Sequence, residues 1–115
     1  MPIAAYSQKA FEAIYYIGKT QNITAKFMYA DGYIGACEIK TIDEKTKKSA
    51  RFLPENGHPD NNNKMKFYHY TTSGKTFQDY FILDGIEDEF DSIPTKLYGR
   101  YYYKGVAFSI TLTKM

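Results

Sequence analysis

Residues 96–114 read KLYGRYYYKGVAFSITLTK, and the parity of this stretch decides the fold. Side chains on a strand alternate between faces with period two. Val106, Phe108, Ile110 and Leu112 share one parity, while Ala107, Ser109, Thr111 and Thr113 share the other. This is the pattern of a strand with one buried face. A two-residue turn at Lys104-Gly105 sets Tyr103 opposite Val106, Tyr101 opposite Phe108, Gly99 opposite Ile110 and Leu97 opposite Leu112. The other face carries Lys96, Tyr98, Arg100 and Tyr102 against small polar residues. Gly99, inside a strand, marks a bend or a close approach of backbone.

The rest of the chain repeats this rhythm. Asp31-Gly32 predicts a hairpin with arms 23–30 and 33–40. Residues 43–48 form a charged turn, and 49–53 a short strand stopped by Pro54. Residues 54–64, PENGHPDNNNK, cannot continue a ladder and form an exposed loop. A third hairpin, with arms 65–71 and 76–83, turns around Ser73-Gly74, and residues 84–95 are an acidic connection to the last hairpin. Residues 1–22 have two readings. Ser7 can cap a helix running to Ile17, or residues 11–17 form a strand ended by Gly18, with which a short helical lead over 7–10 is compatible. The run Ile14-Tyr15-Tyr16-Ile17 favours the strand.

The sum is about eight short antiparallel strands. Sequential antiparallel strands lie side by side, and eight of them remove their edges most simply by closing. The expected fold is all-β, a small antiparallel up-and-down barrel; the alternatives are a β-sandwich, or an N-terminal helix on a curved antiparallel sheet. In outline the hairpin rhythm resembles small lipocalin- or avidin-like barrels, without a diagnostic motif of either.

At 115 residues the chain is expected to form one domain, 1–115, large enough to bury a core. Aromatic residues make up 17% of it, with 12 Tyr, 8 Phe and no Trp, which suits a pleated, half-buried surface. A net charge of +2 argues against a nucleic-acid partner. No apolar run is long enough to span a bilayer as a helix. A single cysteine, Cys37, excludes an intramolecular disulfide and leaves the compartment open. The chain reads as soluble; no signal-peptide pattern opens it, so export would require a leader ahead of Met1-Pro2. Asn22-Ile23-Thr24 is a formal glycosylation triplet of little weight.

His69 and Asp79 form the most informative pair. If the Ser73 turn has a three-residue loop, Phe67 and His69 share a face with Phe77, Asp79 and Phe81. A carboxylate and an imidazole among phenylalanines can orient a polar ligand group, or simply satisfy each other. A second candidate is a partner surface of Tyr98, Arg100 and Tyr102, extended by Tyr68, Tyr70 and Tyr80, since tyrosine and arginine dominate interfaces. Asp84, Glu87, Asp88, Glu89 and Asp91 lack the spacing of a calcium loop and read as a solvated connector able to dock a basic partner. Lys45, Lys47, Lys48 and Arg51 form a basic cluster that can pair with it or sit in water. Gly18-Lys19-Thr20 and Gly74-Lys75-Thr76 lack the earlier glycine of a phosphate loop and read as turns. Cys37 has no nucleophile context.

Two functional readings follow. The favoured one is a non-enzymatic module of inhibitor, immunity or adaptor type that docks a protein through Tyr98, Arg100 and Tyr102 with Glu87, Asp88 and Glu89, because large side chains can fill the narrow interior of an eight-stranded barrel. The other carries a small apolar or aromatic ligand among Phe67, Phe77, Phe81, Tyr101 and Tyr103, oriented by His69 and Asp79. An enzyme using the His69/Asp79 pair ranks third. No cofactor or metal is expected.

Overall fold

The computed structural model describes residues 11–115, and among them eight strands close into an antiparallel barrel in which sequence neighbours pair all the way round. The strands are β1 (Glu12–Thr20), β2 (Ile23–Asp31), β3 (Glu38–Asp43), β4 (Ser49–Pro54), β5 (Met65–Thr71), β6 (Gly74–Asp84), β7 (Lys96–Tyr103) and β8 (Val106–Lys114). The terminal hairpin has the register expected from parity: Tyr103 faces Val106, Tyr101 faces Phe108, Gly99 faces Ile110 and Leu97 faces Leu112. Lys104 and Gly105 take the positive φ values, 49° and 80°, that such a two-residue turn demands. No helix among the described residues is long and apolar enough to cross a membrane.

The first strand departs from expectation. It does not stop at Gly18 but runs on to Thr20, and a two-residue turn at Gln21-Asn22 sets Thr20 against Ile23. Gly18 serves closure instead: a Cβ there would collide with the Thr111 carbonyl oxygen and lie 3.1 Å from Leu112 Cδ2. Ring closure between β1 and β8 then rests on the pairs Tyr16–Lys114 and Ile17–Thr113. Residues 12–17 are therefore strand, not helix; the helical start at Ser7 and the lead over 7–10 lie outside the described residues. The Asp31-Gly32 turn is not a tight hairpin either. The chain passes through a 3-10 turn at Ile34–Ala36 before β3 pairs with β2 from Glu38 against Met28.

The interior is a stack of rings. Tyr16, Phe27, Phe52, Phe67, Phe81 and Tyr101 are all buried. They meet largely edge-on, as Phe27 and Phe67 do at 5.7 Å between centroids and Phe52 and Phe81 at 4.9 Å, the arrangement favoured by ring quadrupoles. One end of the barrel is closed. Ile86 is fully buried there, Phe90 and Ile93 pack on the core, and Phe90 lies 5.1 Å from Tyr29. The Tyr16 hydroxyl donates to the Pro94 carbonyl and the Tyr29 hydroxyl to that of Glu87, each at 2.7 Å. The acidic connection is thus a plug with solvated carboxylates, rather than a wholly solvated connector. The basic turn with Lys45, Lys47 and Lys48 belongs to the opposite end, joining β3 to β4, and Arg51 pairs with Glu38 at 2.5 Å instead of with the plug.

Gly99 is the second close approach: a Cβ on it would lie 2.5 Å from the Ile82 carbonyl oxygen and 2.7 Å from Leu83 Cδ2. Gly99→Ala and Gly18→Ala are expected to lower stability by about 1–3 kcal/mol each, as overpacked positions do. Gly57→Ala, with open space around its Cβ, should be close to neutral. Urea midpoints of the three variants check this, and a neutral Gly99→Ala would contradict the packing described.

Candidate functional site

The open end is built where the interior residues become short or polar. Thr20 and Thr41 are buried there, and Ala50 and Thr71 are half-buried. β5 and β6 bring His69 and Asp79 to this end through an irregularity. Thr71 pairs with Gly74 across a two-residue turn at Thr72-Ser73, and His69 pairs with Thr76. The next pair is Tyr68 with Tyr80, so β6 carries the extra residues 77, 78 and 79 at this point. An odd insertion reverses parity. Asp79 therefore joins Phe81 and Leu83 on the inner face, beside His69 and Phe67. The two residues share a face as the sequence suggested, but the bulge achieves it, not a three-residue loop.

The same bulge overturns the placement of Phe77. Thr76 takes the inward position opposite His69, and Phe77 turns outward. It is 37% exposed and packs against Tyr68 and Tyr80 at ring distances of 6.1 and 6.0 Å. Phe67 and Phe81 are core residues beneath the site.

Asp79 is the centre of a three-residue network. Its Oδ1 lies 2.8 Å from His69 Nδ1, and its Oδ2 accepts the Tyr101 hydroxyl at 2.7 Å. The Asp79 side chain is only 15% exposed and that of His69 26%, so the pair is shielded without being sealed. Phe52 backs the imidazole at 4.8 Å. Burial first, and then the hydrogen bond to Asp79, push the Tyr101 phenol far above its ordinary pKa. Tyr101 was visible from sequence as an inward residue; its bond to Asp79 was not, because two separate hairpins meet to make it.

Two hollows flank the network. One, of 330 Å³, is lined by Tyr101, Tyr103, Phe108, Ile23 and Asp43 with the turn residues Gln21 and Asn22. Tyr103 stands at its rim, 45% exposed, with its ring parallel to Tyr101 within 9°. The other, of 450 Å³, is shallow and touches His69, Ala50, Arg51 and Thr71. The Asp43 carboxylate is anchored by the backbone N–H groups of Lys45 and Thr46 at 2.8 and 3.0 Å, which hold it below the usual carboxylate range. Sequence reading passed Asp43 over as part of a charged turn. A third hollow, of 300 Å³, lies beside loop 55–64, where Lys64 is already bonded to Asp84 at 2.6 Å.

The outer wall carries the second set of candidates. Tyr68, Tyr80 and Tyr102 align across β5, β6 and β7. Tyr80 and Tyr102 stack at 4.7 Å and 11°. Lys66 Nζ lies 4.5 Å from the Tyr80 ring and Arg100 5.8 Å from that of Tyr102. Tyr98 is 56% exposed and, with Asp84, sits towards the plugged end, where Glu87, Asp88 and Glu89 are exposed. Cys37 is buried, its sulfur accepting the Ala30 N–H at 3.3 Å, and burial pushes its thiol up to about 11. Among the described residues no three His, Cys, Asp or Glu side chains group as metal ligands.

Tyr16, Tyr29 and Tyr101 all have raised phenol pKa values, with burial the leading cause. A raised folded-state pKa gives stability that is complete below the unfolded tyrosine value of about 10 and is lost as pH rises above it. The barrel is therefore expected to lose unfolding free energy progressively as pH rises above about 10. Tyr101→Phe should lose it less steeply, as read from urea midpoints above that pH; an unchanged slope would mean that Tyr101 ionises freely. Comparison with protein-family models, with curated proteins and with solved structures returned no match.

Proposed function

We propose that this chain is a non-enzymatic binding module that takes a small ligand with an apolar or aromatic body at the open end of the barrel. One observation carries the reading: a part-buried Asp79, clamped by His69 and Tyr101, sits beside a 330 Å³ hollow walled by Tyr101, Tyr103 and Phe108. Concave sites that are mainly apolar, with a few convergent polar groups, are the usual form of ligand pockets. An eight-stranded barrel has room for side chains or for one small ligand. Here rings fill the body of the barrel, so the ligand belongs at the mouth, a lipocalin-like use of a much shallower cup. His69 and Asp79 serve to orient a polar group. The pair is a poor candidate for nucleophilic catalysis, since Cys37 lies at the plugged end with its thiol pKa raised.

The test is a thermal-shift screen of apolar and aromatic metabolites followed by NMR titration. Hits should move the ring signals of Tyr101, Tyr103 and Phe108, and His69→Ala or Tyr103→Ala should weaken them about tenfold. A screen without stabilising compounds, or hits indifferent to both substitutions, would remove the reading.

The aligned row Tyr68, Tyr80 and Tyr102, with Lys66 and Arg100 beside it, favours a second reading. In it the wall from Tyr102 to Tyr98, continued by Glu87, Asp88 and Glu89, docks another protein, as tyrosine-rich paratopes do. The ring faces are largely covered by neighbours and cations, which leaves edges and hydroxyls for contact and suits a protein better than stacked nucleic-acid bases. Tyr102→Ala with Arg100→Glu should abolish capture of a partner that Asp79→Asn still captures; capture lost equally in both would defeat this second reading.

A further inference from the structure

We infer that the mouth selects ligands that carry a positive charge on their apolar body: an alkyl- or aralkylammonium group. This rests on the mouth-binding reading and adds the chemistry of what binds. The 330 Å³ hollow has aromatic and aliphatic walls, and Asp43 is the one charged side chain among the residues that line it. Its carboxylate is fixed by two backbone N–H groups of the following turn, so it presents a stationary negative charge rather than a mobile surface one. Asp79 adds a second carboxylate directly behind the Tyr101 hydroxyl. An anionic ligand would face both.

None of the basic side chains at this end, Lys19, Lys45, Lys47, Lys48 and Lys104, is among the residues that line the hollow. Lys19 Nζ is bonded to Glu44 at 3.0 Å. Lys104, at the tip of the β7–β8 turn, holds its ammonium 5.3 Å from the centre of the Tyr103 ring. The position of this ammonium shows that a face of the Tyr103 ring is within reach of a cation. Aromatic faces attract ammonium groups through their quadrupole, most strongly where water is partly excluded. Tyr101, buried at 5% exposure and parallel to Tyr103, offers the more shielded face of the two. Phe108 and Ile23 would cover the apolar part of the ligand. The combination of ring faces with a fixed carboxylate distinguishes a cation from a neutral molecule of equal shape; rings alone, or a carboxylate alone, would do so poorly.

The experiment compares three probes of matched shape on the intact chain: phenylpropyltrimethylammonium, its neutral carbon isostere, and phenylbutyrate. Titrations are followed by the aromatic NMR signals of Tyr101, Tyr103 and Phe108. The ammonium probe should bind at least about tenfold more tightly than the neutral one, and phenylbutyrate should not saturate. Asp43→Asn should erase the preference while keeping the neutral probe bound, and Tyr103→Leu, which keeps an apolar wall, should reduce it. Equal binding of the neutral or anionic probe at the same three residues would overturn the charge selectivity and leave the mouth as a binding site. No movement of these signals with any probe would overturn the inference, and the screen described above then decides whether the mouth binds other molecules.

Discussion

The governing constraint is the width of a ring of eight strands. Such a barrel encloses little more than its own side chains, and this one spends nearly all of that width on aromatic rings. Tyr16, Phe27, Phe52, Phe67 and Phe81 leave no room for further bulk, so small residues appear where strands must pass close. Ala25 is one, and Gly99, against Ile82 and Leu83, is another. A tyrosine placed inside must also find a partner for its hydroxyl. At the plugged end, Tyr16 and Tyr29 reach backbone carbonyls of residues 87 and 94. At the other end, Tyr101 reaches a carboxylate. The plugged end is thus tied by tyrosine bonds to backbone, while the open end holds a part-buried carboxylate.

The terminal hairpin was fully legible because two independent signals agree on its register: the turn residues at 104–105 and the alternation from Val106 to Leu112. The chain start was harder because its decisive residue acts at long range. Gly18 looks like a terminator when only its neighbours in sequence are considered, yet its role concerns Thr111, ninety-odd positions away in the chain. Close approach is a property of the folded ring, and local propensity carries no trace of it. The plug is hidden in the sequence for a related reason. Its carboxylates are conspicuous, while Ile86, Phe90 and Ile93 show neither strand nor helix periodicity, so nothing local said that they would be swallowed by the barrel.

The site was half legible. Parity pairs His69 with Asp79 whether β6 carries a bulge or the turn a longer loop, because a bulge of odd length and a loop of odd length have the same effect on facing. Phe77 exposes the difference, since only the bulge sends it outside. The bond from Tyr101 and the fixed carboxylate of Asp43 were hidden, since each requires the ring to close before the two parts come near. Tertiary juxtaposition of separate hairpins is the information that a period-two argument lacks.

The seam between β1 and β8 bears on how the chain reaches this state. Only two residue pairs register across it, Tyr16 with Lys114 and Ile17 with Thr113, and they join the earliest and latest strands. During synthesis the first strand emerges long before its partner and waits with one edge uncovered, open to mispairing with another copy. Completion of the ring demands the largest loop closure the topology contains, which places this molecule among slow, non-local folders. Loss of a few carboxy-terminal residues would leave a sheet with two sticky borders where there had been none.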